Sequence, residues 1–149
     1  VFPLSNPTTK AEITAVDAYT WSNGKCLFAA GSPFEPVTLN GVTHVPGQGN
    51  NMFIFPGVGF AAVSVKAKHV PDSFFVVAAK ALADVVPDDE VQNGTIYPNV
   101  SDIREISTRI AVAVAQHAYD IGIAQLYPKP GDLLAFIQGR MYYPMKYDR

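Results

Sequence analysis

The stretch CLFAA at residues 26–30, closed by GSP at residues 31–33, decides the fold class of this chain. A short, wholly apolar run bounded by Gly, Ser and Pro is typical of a strand buried on both faces of a parallel sheet. Residues 15–21 predict a short helix before it, with Thr14 as the capping residue. Residues 1–4 look like the end of an earlier strand. Because strand, helix and strand follow in this order, the sequence predicts an α/β fold.

After this segment the pattern changes from strands to helices. The dipeptide Asn40-Gly41 supplies the positive backbone angles of a tight hairpin turn. Apolar spacing then predicts several helices, with Asp72 and Ser101 as expected N-caps. The predicted bounds are residues 60–68, 72–86 and 101–119, with a short helix starting at residues 87–90. The proline-rich end, from Tyr127 onward, is expected to form an arm.

Composition and charge exclude several classes of function. Hydrophobic residues make up 48% of the 149 residues, which is a core-forming composition. The net charge is −2 and no basic block exists that could neutralise a row of phosphates, so nucleic-acid binding is not expected. No apolar stretch approaches the roughly 20 residues of a membrane span. The single cysteine, Cys26, favours a reducing compartment, and the start at Val1 rather than Met favours a longer parent protein.

The segment GVGFAA at residues 57–62 matches the dinucleotide fingerprint G-x-G-x-x-A. On the pattern alone, these residues either approach a cofactor or let two helices pack closely. Pro56 stands where the strand should pass into the loop. No second strand ending in Asp or Glu follows about 20 residues later, as the fingerprint requires. Both features count against the cofactor interpretation.

Asparagines lie in two loops, each at the end of a predicted sheet element. Asn6 follows the first strand, and Asn50 and Asn51 precede a helix. In open α/β sheets ligands bind beyond the carboxyl ends of the strands, so both loops could face one crevice. Amide groups can orient a carboxylate, a hydroxyl or a carboxamide without adding a charge. The alternative is that these asparagines only cap helices and turns.

The three histidines are far apart in sequence and predict no metal site. His44 is expected at the surface of the hairpin, whereas His69 and His117 are expected to have structural roles on helical faces. Ser5 and Ser32 lack the G-x-S-x-G elbow of a hydrolytic nucleophile. From the residues alone, the chain is part of an α/β protein with an asparagine-lined crevice.

Several ordered motifs closely resemble the malic enzymes, and the resemblance covers essentially the whole chain. These motifs are LSNPT at residues 4–8, FAAGSPF at 28–34, PGQGNNMFIFPG at 46–57, GTIYP at 94–98 and IREIS at 103–107. The resemblance implies the end of a Rossmann-like nucleotide-binding domain at residues 1–50. It further implies a mainly helical return segment of the central catalytic domain at residues 51–122 and a C-terminal arm at residues 123–149.

The same resemblance implies a function and a set of site residues. Malic enzymes oxidise (S)-malate with NAD or NADP and a divalent metal, Mg or Mn, and decarboxylate the product to pyruvate and CO2. By resemblance, Asn6, Asn50 and Asn51 bind the substrate, and Asn6 with Ser5 lies beside the cofactor. The catalytic tyrosine and lysine and the metal ligands are expected outside these residues, so this chain alone is expected to be inactive. Residues 57–62 are expected in a packing helix.

Two other classes of function stay open at this point. The chain could be a non-catalytic binding or assembly module, or a small stand-alone NAD-binding domain that uses residues 57–62. The resemblance favours a homo-oligomer, a dimer or a tetramer, that binds malate and pyruvate together with the rest of a malic enzyme chain. A cytoplasmic or mitochondrial matrix location is expected, not secretion. The choice between NAD and NADP is not determined by these residues.

Overall fold

The computed structural model describes residues 1–92 and 94–143, and the chain forms two compact units. The first consists of Val1–Phe53 with Leu82–Ile103, and the second of Ile54–Ala81 with Arg104–Arg149, described as far as residue 143. The described helices and strands are α1 (Ala15–Trp21), β1 (Ala29–Ala30), β2 (Val37–Leu39), β3 (Val42–His44), β4 (Gly47–Gln48), α2 (Phe55–Ser64), α3 (Asp72–Ala83), α4 (Asp88–Gln92), α5 (Ile103–Asp120) and α6 (Leu133–Arg140).

β1 is the centre of a short parallel arrangement in the first unit. On one side it pairs in parallel with β4, with Ala29 opposite Gly47. On the other side the N–H groups of Ala29 and Gly31 donate to the carbonyl oxygens of Val1 and Pro3, each over 3.1 Å. Both alanines of β1 are fully buried, which agrees with the predicted α/β fold. The strand is shorter than the predicted residues 26–30: the N–H of Cys26 bonds to the hydroxyl of Ser22, although the carbonyl oxygens of Leu27 and Phe28 still accept from the nitrogens of Val1 and Gly47.

The predicted bounds of α1, residues 15–21, are confirmed. The side-chain oxygen of Thr14 accepts a hydrogen bond from the N–H of Asp17 over 3.1 Å, which satisfies one of the free donors at the helix start. Asn23 and Gly24 have φ angles of 52° and 74°, so the chain turns through the left-handed region after the helix. The helix buries Ala15, Ala18 and Tyr19 in the core of this unit.

The hairpin of β2 and β3 has the predicted tight turn at Asn40-Gly41, where both residues have positive φ angles. The prediction that His44 is a surface residue was wrong. Its ring stacks on Tyr19 with 4.6 Å between the ring centroids. Gly24 leaves the space for this contact, because a Cβ atom there would lie 2.9 Å from Nε2 of His44. The hairpin is thereby packed against α1.

In the second unit, α2 begins at Phe55, five residues before the predicted start at residue 60. Pro56 lies in the first turn, where a missing N–H costs nothing because that group has no partner within the helix. Gly57 and Gly59 are therefore helical residues rather than parts of a loop. The helix ends at Ser64, close to Lys66, which has a φ angle of 53°.

α5 buries the predicted stripe through Ile106, Ile110 and Val114. Ser101 is not its cap, because a 3₁₀ turn at Val100–Asp102 precedes the helix and the side chain of Asn99 caps that turn. α3 ends at Ala83 rather than at the predicted residue 86. The short helix predicted from residues 87–90 is present as α4.

The predicted arm contains a helix, α6, that sequence reasoning did not anticipate. The carboxylate of Asp132 accepts from the N–H of Ala135 over 2.9 Å at its start, and Leu133 and Ile137 are buried one turn apart. Residues 144–149, which include Tyr147 of the predicted aromatic end, lie outside the described residues. Within residues 1–92 and 94–143, no helix has the length and apolar character needed to cross a bilayer.

Replacing Gly57 by alanine should destabilise the protein by about 1–3 kcal/mol, because a Cβ atom there would lie 2.7 Å from Cγ2 of Ile110 and 2.9 Å from the carbonyl oxygen of Ser107. Gly59→Ala is the matched control on the same helix, since no atom lies within 4 Å of its added Cβ. That variant should be more stable by up to about 1 kcal/mol. Urea unfolding of both variants measures the difference, and equal stabilities would contradict the packing role of Gly57.

Candidate functional site

The candidate site lies at the carboxyl edge of the parallel segments in the first unit. The backbone bonds of β1 hold residues 1–3 on one side and β4 on the other. Asn6 follows the first of these segments, Ser32 follows β1, and Asn50 follows β4. Because parallel segments end at the same edge, the residues after their last pairs lie on one side of the unit.

The side chain of Asn6 is bonded to the loop that follows β1. The Ser32 hydroxyl donates to Oδ1 of Asn6 over 2.5 Å, although the two residues are 26 positions apart. Gly31 allows this approach: a Cβ atom there would lie 2.6 Å from the carbonyl oxygen of Leu4 and 2.9 Å from Oδ1 of Asn6. Any larger residue at position 31 would displace the asparagine loop.

Ser5, the predicted cofactor contact, is held by Glu12. The hydroxyl of Ser5 donates to Oε1 of Glu12 over 2.6 Å, and its N–H donates to Oε2 over 3.4 Å. These bonds favour the ionised carboxylate. The Ser5 hydroxyl, together with backbone N–H groups of Glu12 and Ser5, lowers the pKa of the Glu12 carboxyl below its ordinary value. Glu12 therefore fixes the backbone beside Asn6 at neutral pH.

Asn50 caps the turn that follows β4. Its Oδ1 accepts from the N–H of Met52 over 3.0 Å, and its carbonyl oxygen accepts from the N–H of Phe53 over 3.1 Å. Asn51 begins the 3₁₀ turn Asn51–Phe53 and is exposed. The capping role expected of a loop asparagine is thus real for Asn50, but it uses only the oxygen of the amide.

The two asparagines present the same polarity. In each, Oδ1 accepts a hydrogen bond from the protein, from Ser32 at Asn6 and from Met52 at Asn50. Among residues 1–92 and 94–143, Nδ2 of neither side chain has a hydrogen-bond partner. An amide nitrogen carries two donors. The edge is therefore suited to oxygen acceptors on a ligand, such as a carboxylate or a carboxamide oxygen.

Tyr97 supports the Asn50 loop, and sequence reasoning did not single it out. Its ring stacks on Phe53 with 5.5 Å between centroids. A Cβ atom on Gly47 would lie 3.3 Å from its ring, and one on Gly49 would lie 3.2 Å from its hydroxyl. Ser32 and Glu12 were likewise missed as contacts of the site. The two glycines before Asn50 were the available signal for a close neighbour, but they could not identify it.

Two other kinds of site, a dinucleotide-binding loop at residues 57–62 and a metal site, have no support in the described part of the chain. Residues 57–62 lie inside α2, so the fingerprint-like segment has no strand–loop–helix geometry with which to cradle a pyrophosphate. Across residues 1–92 and 94–143, no group of three or more His, Cys, Asp and Glu side chains could hold a metal ion. His117 bonds to the hydroxyl of Ser73 over 2.9 Å, a contact within the second unit.

The Ser5→Ala variant should raise the pKa of the Glu12 carboxyl toward its ordinary value, because it removes the hydroxyl hydrogen bond that lowers it most. Since the pKa in the folded protein is lowered, the contact stabilises the loop above the unfolded pKa and is lost as pH falls through the folded value. A 13C NMR titration of the Glu12 carboxyl measures the change. Ser101→Ala, which removes a hydroxyl elsewhere in the unit, should leave the titration unaltered. An unchanged Glu12 pKa after Ser5→Ala would contradict the clamp.

Comparison with known proteins identifies the family. The family model described as the malic enzyme NAD binding domain matches residues 1–119. The NADP-dependent malic enzyme of Dictyostelium discoideum is 57% identical over 149 residues, which is all of this chain and 27% of that protein. The mitochondrial NAD-dependent malic enzyme of Ascaris suum is 48% identical over 142 residues, or 95% of this chain and 22% of that protein.

A crystal structure of the Entamoeba histolytica malic enzyme has the same fold, with a TM-score of 0.72 at 23% identity over 93% of this chain and 26% of that one. The chain thus spans about a quarter of the length of these relatives. The predicted fold class, a Rossmann-like α/β portion followed by a helical segment, is confirmed. The chain belongs to the malic enzyme family.

Proposed function

We propose that this chain forms part of an enzyme that oxidises (S)-malate with NAD or NADP and decarboxylates it to pyruvate and CO2. Its membership of the malic enzyme family supports the proposal, as do the names of its relatives, which include NADP-dependent and NAD-dependent enzymes. Because the chain spans about a quarter of their length, we propose that other segments supply the general acid, the general base and the arginine that binds the substrate carboxylate.

In this proposal Asn6 and Asn50 hold malate so that its C2 hydrogen faces the nicotinamide. The observation that carries it is the pair of amide nitrogens at the carboxyl edge of the parallel segments, which are suited to carboxylate oxygens. Ser5 and Asn6 would lie beside the cofactor, and Asn51 would be a further contact of the substrate. Holding the reactants in one geometry lowers the entropic part of the barrier without any covalent step by these residues.

The described residues hold no group of three or more His, Cys, Asp and Glu side chains that could bind a divalent metal. We propose that the Mg or Mn ligands lie in other segments of the enzyme. We further propose the domain division made from the resemblance, with boundaries near residues 50 and 122. We also propose that the enzyme is a homo-oligomer, either a dimer or a tetramer. Its proposed location is the cytoplasm or the mitochondrial matrix.

In the full-length enzyme, Asn6→Ala should lower kcat/KM for malate by about tenfold to a hundredfold, the loss expected for one hydrogen bond to a charged group. Asn50→Asp should lower it by at least as much, because the new carboxylate also repels malate. Asp is chosen at position 50 because it keeps the oxygen that caps the turn while removing the N–H donors. Steady-state kinetics with malate and the nucleotide varied separately measures the effect.

Asn23→Gly is the control, because it removes an amide in the same unit at a positive φ angle that glycine tolerates. It should leave the kinetics unaltered. Thermal unfolding of the three variants should stay close to that of the parent protein. Normal kinetics in both site variants would rule out the substrate role of the asparagines.

The 149-residue chain by itself should not reduce NAD or NADP with malate and Mg or Mn, because the acid, base and metal ligands are expected elsewhere. Absorbance at 340 nm measures turnover, with the full-length enzyme as the positive control. Measurable turnover by the chain alone would contradict the proposal that other segments supply the acid, the base and the metal ligands. Absence of turnover in the full-length enzyme as well would favour the rival function, a binding or assembly module.

A further inference from the structure

We propose that Ser32 is a positioning residue that sets the orientation of the Asn6 amide, so that Asn6 presents N–H donors to an oxygen acceptor of the ligand. This inference rests on the proposed function and adds to it a residue and a hydrogen-bond polarity. Its basis is the 2.5 Å bond from the Ser32 hydroxyl to Oδ1 of Asn6, which joins the loops after two adjacent parallel segments.

The Ser32 side is held by the sheet. The N–H of Gly31 donates to the carbonyl oxygen of Pro3, and the carbonyl oxygen of Ala30 accepts from the N–H of Gly49 over 2.8 Å. Gly31 is thus bonded to residues 1–3 on one side of β1, and Ala30 to the segment that follows β4 on the other side. Ser32 is half-buried, whereas Asn6 is exposed. The amide of Asn6 therefore has more room to turn than the hydroxyl of Ser32.

The asparagine side is limited to few orientations. The last torsion of an asparagine side chain is broad and roughly two-fold, so an exposed amide readily exchanges its oxygen and nitrogen positions. A hydroxyl donor at 2.5 Å favours the orientation with the oxygen toward Ser32. The space on the Gly31 side is already filled by Asn6, with Oδ1 at 2.9 Å and Nδ2 at 3.1 Å from a Cβ position there.

Asn50 shows the same polarity by a different means. Its Oδ1 accepts from the backbone N–H of Met52, which can only donate. The two amides therefore act alike when Ser32 donates to Asn6: in both, the oxygen is hydrogen-bonded to the protein and the N–H donors are kept for the ligand. The acceptor at Asn6 is a carbonyl-type oxygen, either of a malate carboxylate or of the nicotinamide carboxamide. The two sources are distinguished by which KM responds.

The test compares three variants of the full-length enzyme: Ser32→Ala, Ser32→Thr and Ser32→Val. Thr and Val have nearly the same shape, but only Thr keeps the hydroxyl, so their difference reports the hydrogen bond even if both disturb the fold. We expect S32A and S32V to lower kcat/KM about tenfold and S32T to stay within about threefold of the parent. A raised KM for malate assigns the acceptor to the substrate, and a raised KM for NAD or NADP assigns it to the cofactor.

Thr43→Val is the matched control, because it removes a hydroxyl that bonds to Thr38 over 3.0 Å on the exposed face of the hairpin. It should leave both KM values unaltered. Equal kinetics for S32T and S32V in an active enzyme would overturn the role of Ser32 and leave the proposed function standing. A parent enzyme that reduces no nucleotide with malate would instead overturn the proposed function.

Neutron crystal structures of S32T and S32V, in which deuterium positions distinguish the amide oxygen from the nitrogen, give a readout that does not depend on activity. We expect the Asn6 amide to keep its orientation in S32T and to turn away from position 32 in S32V. An unchanged Asn6 side chain in both variants would overturn the positioning role, whatever the kinetics of the parent enzyme.

Discussion

The parallel hydrogen-bond ladder around β1 is the constraint on which the rest of the first unit depends. β1 is only two residues long, yet its flanking backbone groups bond to residues 1–3 on one side and to β4 on the other. Ala29 and Ala30 are small and fully buried, as a strand covered on both faces requires. Because parallel segments end at one edge, the ladder collects loops that are far apart in sequence. Asn6 and Ser32 are 26 positions apart in sequence, and this ladder brings their loops within hydrogen-bond distance.

The carboxyl edge of the parallel segments offers hydrogen-bond donors to a ligand. The protein itself satisfies the amide oxygens of Asn6 and Asn50, and the amide nitrogens are left as donors among the described residues. Asn50 is half-buried, and a half-buried donor that faces a ligand favours an acceptor and penalises another donor, because an unpaired polar group loses its water without compensation. In the function proposed here, malate carboxylates or the nicotinamide carboxamide would supply that acceptor. The Glu12 carboxylate accepts a hydrogen bond from the Ser5 hydroxyl and so stabilises the loop that carries Asn6.

Glycines illustrate how one residue type serves different physical needs in this chain. Gly31 admits the Asn6 side chain, Gly47 and Gly49 admit Tyr97, and Gly57 admits Ile110. Only the first three lie beside the candidate site. Gly57 and Gly59 resemble a phosphate-binding loop in sequence, but they lie inside α2, where Pro56 is accommodated in the first turn. In this chain the G-x-G-x-x-A pattern therefore serves close helix packing rather than cofactor binding. The contacts in the folded structure, not the pattern, distinguish these two roles.

The sequence by itself determined the α/β class, the bounds of α1, the hairpin turn and the family, because local caps, turn residues and ordered motifs are properties of short segments. It also pointed to Asn6 and Asn50, though it could not say whether they cap turns or face a ligand. Only the tertiary structure decided that Asn50 caps with its oxygen, that Ser32 bonds to Asn6 and that His44 stacks on Tyr19. These contacts join residues brought together by the β1 ladder and the packing of α1. The early start of α2 and the presence of α6 were not predicted, because they depend on the burial of Val58 and Ala61 in α2 and of Leu133 and Ile137 in α6, which overrides the local preference of nearby Pro and Gly.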